Sequence, residues 1–169
     1  MHLSQSLDAC ISLKRRIIED LRPSSLANLG LKATLLIQCQ ELAQRAEIQV
    51  PTDFADIKLP DDHELTVYRI AQEALTNAAK YAGATHVRVS MLTIDRSLEI
   101  RVVADGKGFD PQVAESLGGR GLQGMRFRVK ACGGDLQIRP TPDHGTCLVA
   151  TLPLRLSAPT GVTPAWPGV

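Results

Sequence analysis

The sequence predicts an α+β fold: a two-layer sandwich in which helices cover one face of a mixed, mainly antiparallel sheet. Three observations predict it. Apolar residues recur at helical spacing through most of the first half of the chain, over about 3–21, 26–46 and 61–82. Period-two alternation then takes over in His86–Leu92 and Leu98–Val103. One more helical stretch, about 121–132, separates those strands from a final hairpin. With 169 residues, 44% of them hydrophobic, the chain can build one sizeable core, or one domain with a short appendage.

Element by element, residues 3–21 read as a helix whose Leu3, Leu7, Ile11 and Ile18 form a stripe near heptad spacing, suited to packing on other helices. Pro23 ends it by pushing Arg22 out of helical geometry. Ser24-Ser25 can cap a second helix from about Leu26 to Ala46, with Leu35, Leu36, Cys39, Leu42 and Ala43 as its apolar face. Gly30 puts the regular part of that helix nearer Leu31. Ile48-Gln49-Val50 alternates as a short strand that Pro51 stops, and 52–60 reads as a loop. Pro60-Asp61-Asp62 offers cap chemistry for a third helix, which Gly83 ends. The two alternating strands join through a turn at Asp95-Arg96-Ser97. Gly133-Gly134 breaks the fourth helix, and Leu136–Ile138 and Cys147–Leu152 form the last hairpin. After Leu156 the composition turns to Pro, Gly, Ser and Thr, which reads as a disordered tail with Trp166 exposed.

Composition removes several function classes. A net charge of +1 gives no electrostatic case for nucleic acid or for an anionic membrane surface. No apolar run approaches the roughly 18–20 residues of a membrane span, and the N-terminus lacks the basic-then-apolar order of a signal peptide. Cys10, Cys39, Cys132 and Cys147 contain no CxxC pair and no disulfide framework, so they read as free thiols in a reducing cytoplasm.

The chemistry concentrates in three places. Glu73 and Asn77 are four apart on the third helix, so both leave one face, beside the apolar Ile70, Leu75 and Ala78. A carboxylate and a carboxamide are the oxygen donors a hard cation such as magnesium accepts. Asp105-Gly106-Lys107-Gly108-Phe109 is a glycine turn leaving a strand. Gly118-Gly119-Arg120-Gly121-Leu122-Gln123-Gly124-Met125 is a glycine loop feeding a helix N-terminus, whose free N–H groups suit phosphates, with Lys107 and Arg120 adding charge. Either loop alone is an ordinary turn. Both, in this order after Glu73 and Asn77, point to a bound magnesium nucleotide.

Arg69–Ala82 resembles the asparagine box of the ATP-binding domain of two-component sensor histidine kinases, in the nitrate-sensor and DegS-like subfamily. Gly106–Pro111 is similar to that family's first glycine box, Gly119–Arg126 to its second, and Gly145-Thr146 to its terminal Gly-Thr. Arg15–Pro23 resembles the end of the second helix of the dimerisation and phosphoacceptor hairpin. The resemblance covers about 14–154 and implies the Bergerat (gyrase–kinase–MutL) fold. It divides the chain into 1–23, the C-terminal part of the hairpin; 24–155, the ATP-binding domain; and 156–169, the tail. It implies ATP and Mg2+ as cofactors, with Asn77 and Glu73 at the metal and Glu73 also orienting or deprotonating the attacking group near the γ-phosphate. It further implies nucleotide contacts from Lys80, Tyr81, Asp105, Gly106, Gly108, Gly119, Arg120, Gly121, Leu122, Gly124 and Thr146, with 106–121 as a mobile lid. The implied activity is γ-phosphoryl transfer to a histidine, then to a response-regulator aspartate. The implied partners are that response regulator, the sensor and acceptor helix of the same kinase, and a second copy in the full-length protein. The domain itself is expected in the cytoplasm without membrane contact.

Three departures qualify that reading. Aligning Gly106 and Gly108 places Ala104 where the family carries an aspartate that accepts from the adenine amino group. Losing such a bond costs about 1.5–3 kcal/mol, roughly 10–150-fold in affinity. Asp105 replaces it only through a bulge, because consecutive strand residues face opposite ways. Tyr81 stands where the family usually has histidine. None of His2, His63, His86 and His144 fits the phosphoacceptor, and each reads as a surface histidine. The alternative reading is a degenerate domain of the same fold, poor in nucleotide and acting as a protein-interaction module. A related serine-kinase ATPase of this fold is disfavoured by the Arg15–Pro23 segment.

Overall fold

The structure, a computed structural model, describes residues 23–108, 120–141 and 145–154. The expected helix over 3–21, the tail with Trp166, and His2, Cys10, Gly119 and His144 lie outside them.

Helix α1 (Ser24–Ala46) is broken at Gly30, whose φ of 77° and ψ of 172° are not helical. The regular part therefore starts at Leu31, as the early glycine predicts. Leu31, Leu35, Cys39 and Leu42 recur along one face and are buried. Strand β1 is Thr52–Phe54. This corrects the expected strand at 48–50, where Gln49 makes only an isolated bridge to His86. The reason is the proline at an edge. Pro51 has no N–H, but its carbonyl still accepts from Val89 N–H at 3.0 Å, so pairing resumes beyond it instead of stopping.

Helix α2 (Asp61–Asn77) continues directly into a π-helical turn, Ala78–Ala82, and Gly83 in left-handed geometry closes it. The expected aspartate cap is not what starts α2. Pro60 occupies the cap position without a side-chain bond, and Asp61, Asp62 and Glu64 instead place negative charge in the first turn. Val67, Ile70, Ala71, Ala74 and Leu75 are buried along its inner face.

Strands β2 (Val87–Ile94) and β3 (Ser97–Ala104) form a hairpin across Asp95-Arg96. Helix α3 (Arg120–Ala131) follows, then β4 (Asp135–Thr141) and β5 (Gly145–Pro153). The five strands lie in the order β1-β2-β3-β5-β4, with only β1 parallel to its neighbour. Alternation decides the faces. Val87, Val89 and Met91, then Leu98, Ile100, Val102 and Ala104, then Leu148, Ala150 and Leu152 are buried, while Arg88 and Arg101 between them are exposed. Met125 and Val129 of α3, four apart, join Ile70 of α2 over that surface. Truncating a fully buried residue such as Ile70 to alanine would cost about 2–5 kcal/mol. This shared core fixes the end of α2 over the ends of β3 and β5.

Candidate functional site

At that meeting point lies a small, partly open pocket with a cavity volume of about 30 Å³. Ala74, Asn77, Ala78 and Ala82 supply its helical wall. Two cross-strand pairs supply its floor: Ala104 opposite Thr146, and Val102 opposite Leu148. Leu122, from the first turn of α3, closes it. Alanine recurs on the helical wall because a larger side chain would fill the space. The lining is apolar except for Asn77 and Thr146, and Thr146 Oγ1 is buried with no hydrogen-bond partner among the described residues. A buried hydroxyl left unpaired costs about 1–3 kcal/mol, so this floor presents an unmet polar group to whatever enters.

Glu73 precedes Asn77 by one helical turn and is half-buried. The first turn of α3 lies on it: a β-carbon at Gly121 would come 1.8 Å from Glu73 Oε1. The other glycine segment is anchored differently. A β-carbon at Gly106 would come 1.9 Å from the carbonyl oxygen of Ala82, and Lys107 N–H donates to that same oxygen at 2.8 Å. The loop therefore rests against the carbonyl that ends the π-helical turn.

Asp105 lies on the opposite side from the pocket. Its carboxylate accepts from the backbone N–H groups of His86 at 2.9 Å and Thr85 at 2.8 Å, and from the Thr85 hydroxyl at 2.8 Å. The His86 N–H and then the Thr85 hydroxyl hold its carboxyl well below the usual carboxylate range. There is no bulge, and Ala104, 4% exposed, is the residue that faces the pocket. The Asp105 carboxylate is thus tied to Thr85 and His86 at the strand end and does not line the pocket.

Of the other expected site residues, Asn77, Leu122 and Thr146 enter the pocket and Glu73 and Gly121 meet beside it. Lys80 and Tyr81 are exposed and do not line it, and Lys80 borders a groove between α1 and α2 instead. Gly108 continues the loop in left-handed geometry, φ 68°. Gly124 lies beside the Arg128 guanidinium, and Arg120 begins α3. Val102 and Leu148 line the pocket without belonging to any of the sequence motifs. Parity was the available signal, since residues two apart on a strand share the face of Ala104 and Thr146. His63 also departs from expectation: it is buried, 3% exposed, whereas His86 is exposed as predicted.

Residues 62–156 match the family model described as histidine kinase-, DNA gyrase B-, and HSP90-like ATPase. The chain is 35% identical over 156 residues to the signal transduction histidine-protein kinase/phosphatase DegS of Brevibacillus brevis, covering 90% of this chain and 40% of that protein. It is 33% identical over 161 residues to the sensor histidine kinase MctS of Rhizobium johnstonii, covering 92% and 34%. It therefore spans well under half the length of these relatives. Among solved structures, the histidine kinase domain of the blue-light activated kinase of Erythrobacter litoralis EL346 superposes with a TM-score of 0.65 at 21% identity, over 73% of this chain and 61% of that one. The Acinetobacter baumannii histidine kinase AdeS superposes with a TM-score of 0.62 at 17% identity, over 90% and 84%. At these identities the structural likeness concerns the fold.

Proposed function

The chain belongs to the histidine kinase-, DNA gyrase B-, and HSP90-like ATPase family, and from that premise we propose that it is the ATP-binding catalytic domain of a sensor histidine kinase. In this reading residues 24–155 form the catalytic domain and residues 1–23 the end of the dimerisation hairpin. The acceptor histidine belongs to that hairpin, and the phosphoryl group passes on to a response-regulator aspartate in two-component signalling. The names of the two curated relatives support the kinase assignment.

One observation carries the reading at the level of residues. Asn77 enters the same pocket as the Ala104–Thr146 pair, while Glu73 lies one turn away under Gly121. The apolar wall of Ala74, Ala78 and Leu122 suits a flat heterocycle, and the Thr146 hydroxyl, unpaired among the described residues, suits its polar edge. The phosphates then lie toward Asn77 and the N-terminus of α3, where free N–H groups favour anions. The donor set fits magnesium, with the Asn77 carboxamide and Glu73 carboxylate as hard oxygen ligands. When bound, the ion supplies neutralisation of phosphate charge. As the bond from the γ-phosphorus to the ADP oxygen breaks, a bond to the acceptor imidazole nitrogen forms, and Glu73 orients that imidazole and accepts its N–H proton.

Ala104 sets the affinity. Its methyl group offers no acceptor to a base amino group, so binding is weaker than a carboxylate there would give. The test is titration of the chain and of Ala104→Asp with a fluorescent ATP analogue and magnesium. Saturable binding by both, tighter in the variant, is the expected result. No binding by either would sink the nucleotide reading.

A further inference from the structure

We propose that Asp62, His63 and Cys132 form a binding site for a borderline-soft divalent metal ion of the zinc type. The site is independent of the nucleotide pocket. It lies at the opposite end of α2, ten residues or about 15 Å of helix from Glu73. A carboxylate oxygen of Asp62, a ring nitrogen of His63 and the sulfur of Cys132 all lie within 4.8 Å of one another.

Two of the three are inside the protein: His63 is 3% and Cys132 7% exposed. Asp62 Oδ1 lies 2.9 Å from His63 Nδ1 and also accepts from the His63 backbone N–H at 2.9 Å, which fixes the ring. His63 Nε2 is buried with no hydrogen-bond partner among the described residues. An ordinary core histidine satisfies both nitrogens. A carboxylate on one ring nitrogen with the other left open is the arrangement by which proteins orient a metal-ligating imidazole. Cys132 Sγ shares a buried hydrogen bond with the Thr66 hydroxyl at 3.3 Å, and that hydroxyl can stay as a donor to a thiolate.

The donor chemistry selects the ion. Sulfur with imidazole nitrogen favours zinc-like ions over magnesium or calcium. His63 Nε2 and Cys132 Sγ are then the protein ligands, Asp62 orients the imidazole from Nδ1, and water completes the coordination; the site can be reached, because Asp62, Thr66 and Cys132 also border an open cavity between α2 and α3. Binding transfers the Cys132 thiol proton to solvent. The resulting thiolate and carboxylate balance a divalent charge, so the loaded site is neutral. That suits a cavity which Arg69 and Arg128 also line. The ion would join the N-terminal turn of α2 to the residue after α3.

Cobalt(II) is the probe, since its thiolate charge-transfer and tetrahedral visible bands report sulfur ligation directly. The 169-residue chain should take up one equivalent with both bands and release one proton, and Zn2+ should displace the cobalt. The bands should vanish in Cys132→Ser and persist in Cys147→Ser. Asp62→Asn, on the surface, should weaken binding by about 10–100-fold. His63→Asn retains a group facing Asp62 while removing Nε2, and should also abolish the bands. Circular dichroism confirms the fold of each variant. Absence of a thiolate band in the parent chain, or its survival in Cys132→Ser, would overturn the proposal.

Discussion

Gly121 rests on Glu73 so closely that a β-carbon there would come 1.8 Å from Oε1. The obstructing atom is the tip of a flexible side chain, so the fold can accommodate Gly121→Ala by turning the carboxylate aside. We expect the variant to unfold within a few degrees of the parent while its phosphoryl transfer, to an acceptor hairpin supplied in trans, falls by on the order of 100-fold, as for a displaced acid–base group. Calorimetry and a radiolabel transfer assay separate the two effects. Unchanged transfer would mean that the Glu73 position is immaterial to the chemistry.

Gly106→Ala should behave in the opposite way. There the β-carbon would meet the Ala82 carbonyl oxygen at 1.9 Å and its carbon at 2.5 Å. Backbone at the end of a helix cannot swing away, so the loop must lift and lose the Lys107 N–H bond to Ala82. We expect a loss of about 1–3 kcal/mol in urea unfolding, the range for overpacking, together with weaker binding of the ATP analogue.

Asp105 should make the strand end acid-sensitive. Its folded carboxyl lies below the ordinary value of 3.8 because the His86 N–H and the Thr85 hydroxyl donate to the ionised form. A depressed folded value means the contribution is fully present above about pH 4 and is lost as pH falls further. The melting temperature of Asp105→Asn should therefore lie below that of the parent at neutral pH, with the gap closing toward about pH 2. A gap that widens on acidification would contradict the assignment.

Cysteine labelling should follow burial. Burial pushes the Cys39 thiol up to about 11, from 9.0. Cys147 is only half-buried. About 100-fold less thiolate than at an ordinary thiol, together with burial, should make iodoacetamide modify Cys147 before Cys39 and reach Cys39 only on unfolding, as mass spectrometry of the digested protein would read out.

The sequence disclosed whatever a local period or spacing encodes. The i,i+4 relation of Glu73 and Asn77 places both on one helix face, and alternation in 87–104 gives the sheet its buried side. Pro51 misled because a stop signal in a central strand is tolerated at an edge. The spacing of the glycines points to phosphate loops, yet Gly106 and Gly121 are also required by backbone and side chain approaching from α2, a constraint that exists only in three dimensions. His63 and Cys132 could not be related at all. They are sixty-nine positions apart, and neither has a metal-ligand spacing to its neighbours. Parity did suffice to choose between Ala104 and Asp105 once β3 was known to carry no bulge.

That choice yields the most direct prediction. Ala104 is buried in the pocket opposite Thr146, so Ala104→Asp places a carboxylate beside a hydroxyl that lacks a partner among the described residues. Without nucleotide the Thr146 hydroxyl can donate to the new carboxylate, but one such bond does not replace full hydration, and the variant should be less stable by about 1–3 kcal/mol. With nucleotide the carboxylate gains the base amino group as a second donor. Affinity for the ATP analogue should then rise by roughly 10–150-fold, and the stability deficit should shrink as ligand is added. Guanine and hypoxanthine nucleotides carry an oxygen in place of that amino group, so the carboxylate should repel them and the gain should be confined to adenine. Denaturant titrations at several ligand concentrations, run with ATP and ITP in parallel, check both signs. An equal gain for ITP would show that Ala104 does not face the base.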